Sequence, residues 1–164
     1  MIEAAGMTCE CLVDEPTAAN SILHLQDGVI VDIGGGTTGL AIIGNGVVVY
    51  TADEATGGVH LSLVIAGAND ISFEAAEALK KDSTQQYRLF PIVRPVMEKM
   101  GTIVAKRIRG SSAKSITLVG GTTLFPGIAS VIETVTGLPT KVSQHPLFVT
   151  PLGIAMHDQK EPLE

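Results

Sequence analysis

The side chains best suited to chemistry in this sequence surround one glycine-rich turn. Asp32 ends an apolar, β-branched run, and a turn rich in glycine and threonine follows it before the next apolar run begins. Carboxylates that bind metal ions often stand where a strand of an α/β sheet ends. Glycines let a ligand approach bare backbone N–H groups, and threonines add hydroxyls beside them. The pattern predicts a phosphate cradle formed by Gly34, Gly35, Gly36, Thr37 and Thr38. Taken alone, it fits an ordinary glycine hairpin equally well, with the aspartate capping its own turn.

A second glycine pair precedes a predicted helix. Gly57 and Gly58 stand directly before the apolar segment 59–66. The start of a helix exposes free N–H groups, and the helix dipole adds positive character there. The pair therefore predicts a second contact to phosphate, although a flexible entry loop explains it equally well.

A third glycine pair follows a predicted strand. Gly120 and Gly121 come after the apolar run 114–119, and Thr122 leads towards a helix expected at 127–136. A strand, a glycine pair, hydroxyls and then a helix can support the phosphate or ribose of a nucleotide with backbone amides. The third turn therefore predicts a nucleotide contact.

The spacing of apolar residues predicts an α/β fold. Strands are expected at 8–13, 29–33, 39–43, 47–52, 114–119 and 140–142, and helices at 14–25, 59–66, 72–82, 91–110, 127–136 and 150–156. Asp14, Ser72 and Thr150 are predicted N-caps, and residues 44–46 a tight hairpin. Segment 1–6 has the composition of the last turn of a helix, which favours a chain that begins where a longer helix ends.

Composition limits the classes of function. The 164 residues suffice for one domain or one lobe of a larger protein. Only 17% of them are charged, so we expect apolar surface that another lobe or subunit covers. A net charge of −6 argues against a nucleic-acid partner, and no apolar run is long enough to span a membrane. With no secretory leader before the cysteines, we expect a cytoplasmic protein.

Cys9 and Cys11 are the two cysteines of the chain. In a strand they would point to the same side, where a metal pair is conceivable. The four histidines are scattered and supply no further ligand at a recognisable spacing, so buried thiols are favoured.

The three glycine turns, in this order along the chain, resemble the second half of the actin-like ATPase superfamily, which includes sugar kinases and DnaK-type chaperones. DEPTAA at 14–19 is similar to the connecting motif of the chaperones, DIGGGTT at 32–38 to their second phosphate motif, and VGGTT at 119–123 with Pro126 to their adenosine motif. The resemblance implies a mixed sheet with flanking helices.

Segments 52–63, 95–100 and 144–152 also resemble the ethanolamine-utilization EutJ family, chaperone-like proteins encoded with bacterial microcompartment genes. This resemblance covers residues 2–156 and corresponds to the C-terminal part of the family. It implies one nucleotide-binding lobe at 1–157, a polar tail at 158–164, and an absent N-terminal lobe with its own Asp-x-Gly-Thr motif.

The resemblance also implies roles for individual residues. Asp32 would bind Mg²⁺ through water, and Glu15 would help to place the attacking water. The turn after Asp32 would line the outer phosphates, with Gly57 and Gly58 on their other side and Gly120, Gly121 and Thr122 near the sugar. Glu77 and Lys80 would border the nucleoside and Lys81 would flank the adenine, although Glu77 and Lys81 could simply pair on a solvated face. Leu124 stands where the opposite flanking arginine is expected.

The preferred interpretation is the Mg-ATP-binding lobe of a EutJ-like, chaperone-type ATPase. The full protein would hydrolyse ATP between two lobes to change its grip on protein clients or microcompartment proteins, and it could form a homo-oligomer. The lobe alone is predicted not to turn over ATP, because it supplies charge from one side only. The alternative is a non-enzymatic protein-binding scaffold with the same fold. A kinase for a small substrate is a third, weaker option, since no substrate-side aspartate can be identified.

Overall fold

The computed structural model describes residues 3–9 and 12–157. One 3₁₀ turn, Glu3–Ala5, precedes the first helix, and a second, Gly121–Leu124, follows the fourth strand. In chain order the elements are α1 (Glu15–Leu23), β1 (Gly28–Ile33), β2 (Thr38–Gly44), β3 (Val47–Glu54), α2 (Gly58–Asn69), α3 (Phe73–Lys81), α4 (Gln86–Arg107), β4 (Ile116–Val119), α5 (Ile128–Thr136), β5 (Thr140–Val142) and α6 (Pro146–His157).

The strands form one mixed sheet in the order β3-β2-β1-β4-β5. Strands β1, β2 and β3 pair antiparallel, as the hairpin-forming sequence predicts, whereas β1 pairs parallel with β4 and β4 with β5. Asp32 stands opposite Gly39 on one side and Val119 on the other. The glycine turns that follow β1 and β4 therefore lie at the same edge of the sheet.

The sheet separates two apolar layers. Val29, Val31 and Ile33 point into the larger layer, which α2, α4 and α5 complete. Ile30 points to the other face, where it packs in the smaller layer with α1 and α6. Because side chains alternate along a strand, Asp32 falls on the α1–α6 face of the sheet.

Several local predictions are confirmed. The hairpin between β2 and β3 has positive φ angles at Asn45 (53°) and Gly46 (78°), as its residue types require. Asp14 caps α1, accepting a hydrogen bond from the Thr17 N–H at 3.0 Å. Ser72 caps α3.

Two helix starts were predicted wrongly. Helix α4 begins at Gln86 rather than near Pro91, because burial of Leu89 extends the apolar face of the helix by a turn while Pro91 faces solvent. Helix α6 begins at Pro146 rather than Thr150, with Val149 buried against the sheet. Thr150 is therefore an interior residue of α6 and not its cap.

The N-terminal segment differs from expectation. Thr8, Cys9, Leu12 and Val13 are not in a strand, and Cys11 lies outside the described residues. Cys9 is exposed rather than buried, because residues 4–9 lie on the surface. The polar tail predicted at 158–164 also lies outside the described residues. Among the helices that are described, none has the length and apolarity needed to cross a membrane.

Candidate functional site

The turn after β1 is closed by its own backbone and opens towards solvent. Gly34 N–H donates to the Thr37 carbonyl at 3.0 Å, and Gly35, Gly36 and Thr37 are exposed. Thr38 behaves differently: its side chain is buried, and its hydroxyl donates to the Thr56 carbonyl at 2.6 Å. Thr38 therefore links β2 to the loop before α2, and its hydroxyl proton is engaged in this hydrogen bond.

The N-terminus of α2 packs directly against this turn. Gly58 N–H donates to the Gly34 carbonyl at 2.9 Å, and Val59 N–H donates to the Gly35 carbonyl at 2.8 Å. The prediction that this glycine pair offers free N–H groups to phosphate is therefore wrong for Gly58, because its N–H donates to a protein carbonyl.

The Gly57 N–H is also taken, donating to Nδ1 of His60 at 3.2 Å. A Cβ atom at Gly57 would lie 2.6 Å from the Gly35 carbonyl oxygen. This glycine is required by the close approach of two loops.

The turn after β4 completes the group. Thr122 donates its hydroxyl to the Gly34 carbonyl at 2.7 Å, and Gly120 N–H donates to the Pro146 carbonyl at 2.9 Å. Gly120 has φ 89° and lies so close to Asp32 that a Cβ atom there would overlap the carboxylate. The three glycine turns predicted from the sequence therefore meet at one place, next to Asp32.

Asp32 is buried, with 5% of its surface exposed. Burial raises the pKa of this carboxyl, and a hydrogen bond donated by the Thr150 hydroxyl to Oδ2 at 2.5 Å opposes that rise. Burial also raises the pKa of Glu15, and the nearby charges of Asp32 and Asp53 raise it further. Sequence reasoning missed Asp53 and the role of Thr150.

The donor set around Asp32 suits a hydrated ion held jointly with a ligand. Within residues 3–9 and 12–157, no group of three or more His, Cys, Asp or Glu residues is arranged to bind a metal ion by itself. Mg²⁺ usually keeps several waters and takes one or two carboxylates together with substrate phosphates. A buried carboxylate beside glycine turns fits that arrangement.

A cavity of about 390 Å³ opens beside the first and third of these turns. Seven of its lining residues were placed at the site from the sequence: Gly35, Glu77, Lys80, Lys81, Gly121, Thr122 and Leu124. Four more complete the wall: Leu61, Gln86, Phe125 and Leu147. Leu147 was missed because the last helix was predicted to begin only at Thr150.

One wall of the cavity is an ionic cluster of Lys80, Glu77 and Lys81, joined by Ser62. Lys80 Nζ donates to the Gly58 carbonyl at 3.0 Å, to Ser62 Oγ at 2.8 Å and to Glu77 Oε2 at 2.6 Å, which uses all three of its N–H donors. Ser62 donates to Glu77 at 2.5 Å, and Lys81 pairs with the other Glu77 oxygen at 3.1 Å. Sequence reasoning missed Ser62.

Glu77 is ionised throughout the usual pH range. Burial alone would raise the pKa of Glu77, but hydrogen bonds from Lys80, Ser62 and Lys81 outweigh it and lower the pKa to about 2. The cluster therefore ties α3 to the first turn of α2, just behind the glycine turns.

The sequence of the chain is similar to two groups of known proteins. Residues 18–151 match the family model described as type IV pilus assembly protein PilM. The chain is 45% identical over 156 residues to the ethanolamine utilization protein EutJ of Escherichia coli K12, covering 94% of this chain and 55% of that protein. It therefore spans about half the length of the curated relatives it matches.

Solved structures of EutJ, PilM and a third protein, MreB5, are similar to this fold. The EutJ crystal structure from Carboxydothermus hydrogenoformans superimposes with a TM-score of 0.88 at 46% identity, over 94% of this chain and 58% of that one. MreB5 of Spiroplasma citri bound to ADP has a TM-score of 0.81 at 20% identity, over 96% and 62%. The PilM–PilN type IV pilus biogenesis complex has a TM-score of 0.79 at 20% identity, over 98% and 56%. The predicted actin-like ATPase fold is confirmed.

Proposed function

Since the chain belongs to the family described as type IV pilus assembly protein PilM and has the actin-like ATPase fold, we propose that it binds a nucleoside triphosphate, ATP, together with Mg²⁺. The observation that carries this proposal is the convergence of three glycine turns next to one buried carboxylate, together with a cavity of about 390 Å³ that the first and third of these turns line through Gly35, Gly121 and Thr122.

The phosphates would lie against the exposed part of the first turn. Gly35 and Gly36 present backbone there that no side chain covers, and Thr37 adds an exposed hydroxyl. Asp32 would hold the Mg²⁺ ion through water. Gly57 would shape this end of the site without donating to the ligand, because its N–H is already bonded.

The nucleoside would occupy the cavity itself. Gly120, Gly121 and Thr122 would lie beside the sugar, while Lys81 and Leu124 would flank the base. Lys80 would form part of the cavity wall without donating to the ligand, since its three N–H donors bind protein oxygens.

Hydrolysis would need more than this chain. Glu15 could orient a water molecule towards the outer phosphate, but phosphoryl transfer requires charge neutralisation from both sides of the phosphate. The sequence contains no Asp-x-Gly-Thr motif for a second phosphate loop. The chain by itself therefore binds nucleotide without turnover, and hydrolysis belongs to a longer, two-lobed protein.

The similarity to EutJ suggests a biological setting. We place the protein in ethanolamine utilization, as a chaperone-type ATPase acting on protein clients or on proteins of a microcompartment. Support comes from 45% identity to a protein of that name. The structural neighbour PilM is solved with a protein partner, PilN, which is consistent with protein clients here.

Calorimetry with ATP and Mg²⁺ tests the proposal. Gly35→Val should abolish the binding heat, because its side chain would occupy the phosphate position. The variant should still fold, since a Cβ atom at Gly35 meets nothing within 4 Å. Gly67→Val is the matched control, because Gly67 is equally open on α2 and lines no part of the cavity. Equal heats for all three proteins would contradict the proposed site.

A phosphate-release assay tests the second half of the proposal. We expect no Mg²⁺-dependent turnover by the 164-residue chain. Turnover that Asp32→Asn abolishes would show that one lobe is sufficient.

A protein-binding scaffold is the second candidate, and one observation favours it. The outward face of α6 is apolar: Leu147, Phe148, Leu152 and Met156 are between 42% and 59% exposed. Absence of any heat at millimolar ATP would favour this role over the nucleotide site.

A further inference from the structure

Helix α6 makes three contacts with the glycine-turn end of the site. The Pro146 carbonyl accepts the Gly120 N–H at 2.9 Å, and Leu147 packs on Gly121 in the cavity wall. Thr150, one turn further along, donates its hydroxyl to Asp32 at 2.5 Å. The third contact reaches the carboxylate assigned to Mg²⁺.

The position of Thr150 makes this bond unusual for a helical threonine. In the interior of a helix, a threonine hydroxyl commonly donates to the carbonyl four residues earlier. For Thr150 that carbonyl belongs to Pro146, which accepts from Gly120. The Thr150 hydroxyl instead leaves its own helix and binds a group 118 residues away, with only 9% of the residue exposed.

Asp32 is consequently held from two sides. Oδ2 accepts from Thr150, and Oδ1 lies against Gly120, where an added Cβ atom would overlap it. A 2.5 Å separation is typical of a hydroxyl donating to an ionised carboxylate. The rotamer of Asp32 is therefore fixed by α6 and by the turn after β4.

We propose that Thr150 is a positioning residue for Mg²⁺ binding. It holds Oδ2 of Asp32, so that Oδ1, which lies beside Gly120 in the turn after β4, is the oxygen left for metal-bound water. This inference rests on the proposed nucleotide function. It also makes α6, whose outer face is apolar, a helix in direct contact with the metal end of the site.

A double-mutant cycle tests the contact without nucleotide. Thr150→Val keeps the shape of the side chain and removes its hydroxyl, and we expect it to lower the melting temperature by roughly 5 °C. In an Asp32→Ala background the same change should lower it by less than half as much. Equal losses in the two backgrounds would show that Thr150 serves packing alone, and would overturn the proposal.

The Mg²⁺ dependence of ATP binding tests the positioning role. Thr150→Val should raise the Mg²⁺ concentration for half-maximal binding about tenfold, and Thr150→Ser should restore it to within twofold of the original. Thr102→Val is the matched control, because the Thr102 hydroxyl donates within its own helix, to the Glu98 carbonyl at 2.9 Å.

The outcomes separate the two proposals. If the unaltered chain binds ATP and Thr150→Val leaves its Mg²⁺ dependence unchanged, only the positioning role fails. If the unaltered chain binds no ATP at any Mg²⁺ concentration, the proposed function fails and the positioning role fails with it.

Discussion

At the scale of single residues, the structure separates side chains that are available to a ligand from side chains that hold the site together. Lys80 belongs to the second group, because its ammonium donates to three protein oxygens and its side chain is only 14% exposed. Lys80→Met should therefore lower the free energy of unfolding by about 1–2 kcal/mol, since it leaves Glu77 without the ammonium group that binds its Oε2 at 2.6 Å. Urea unfolding measures the loss, with Lys99→Met on the exposed side of α4 as control. A variant of unchanged stability that loses ATP affinity would make Lys80 a ligand instead.

The pH dependence of stability provides a separate test of the same cluster. The pKa of Glu77 is lowered from 4.5 to about 2, so the folded state favours the ionised carboxylate. Its contribution is fully present above about pH 4.5 and is lost as the pH falls towards 2. The stability difference between the original chain and Glu77→Gln should thus be at most a few kcal/mol at pH 6 and shrink steadily down to pH 3. Denaturant midpoints across that range measure it, and a difference independent of pH would contradict the ionic cluster.

At the scale of elements, the five strands of the sheet and the caps of α1 and α3 follow from the sequence, but the starts of two helices do not. The strand predicted at 8–13 and the Thr150 cap were also wrong for the residues that the structure describes. Local chemistry decides the Asp14 cap and the positive φ of Asn45, so both could be predicted. The starts of α4 and α6 depend on burial of Leu89 and Val149 against distant parts of the chain, which local patterns do not contain. In both helices tertiary packing extends the element through a proline-containing turn.

The contact between α1 and α6 gives a prediction at this scale. Gly153 lies so close to the Ala18 carbonyl that a Cβ atom would overlap it. Gly153→Ala should therefore destabilise the protein by about 2 kcal/mol or more, although alanine is the better helix former. Gly67→Ala is the matched control, because Gly67 is also helical but nothing lies within 4 Å of its added Cβ atom, so stability should rise by up to about 1 kcal/mol. Equal changes in melting temperature for the two variants would mean that α1 and α6 are not in close contact.

At the scale of the whole molecule, the sequence predicted which turns meet but not which of their atoms remain available. The three glycine turns follow β1, β3 and β4, and the observed directions of these strands place all three turns at one edge of the sheet. The carbonyls of Gly34 and Gly35 that take the α2 amides lie more than twenty residues from their donors, and no spacing rule reveals that pairing. The meeting of the three turns could be predicted from the sequence, whereas the hydrogen bonds between their atoms depend on contacts between distant segments.

The surface of the whole molecule gives the last prediction. The apolar face of α6 carries Phe148 and Leu152, 59% and 51% exposed, and the chain spans about half the length of its curated relatives. Exposed apolar patches of this kind mark surfaces that another protein segment covers. Replacing both residues by glutamate should reduce self-association in sedimentation experiments and binding of an apolar dye, with little loss of stability because both side chains are already half in water. The matched control replaces Val47 and Val49 by glutamate on β3, the exposed edge strand, where the two valines are 61% and 62% exposed. If the β3 variant loses self-association and the α6 variant keeps it, pairing of edge strands rather than the α6 face drives association of this chain.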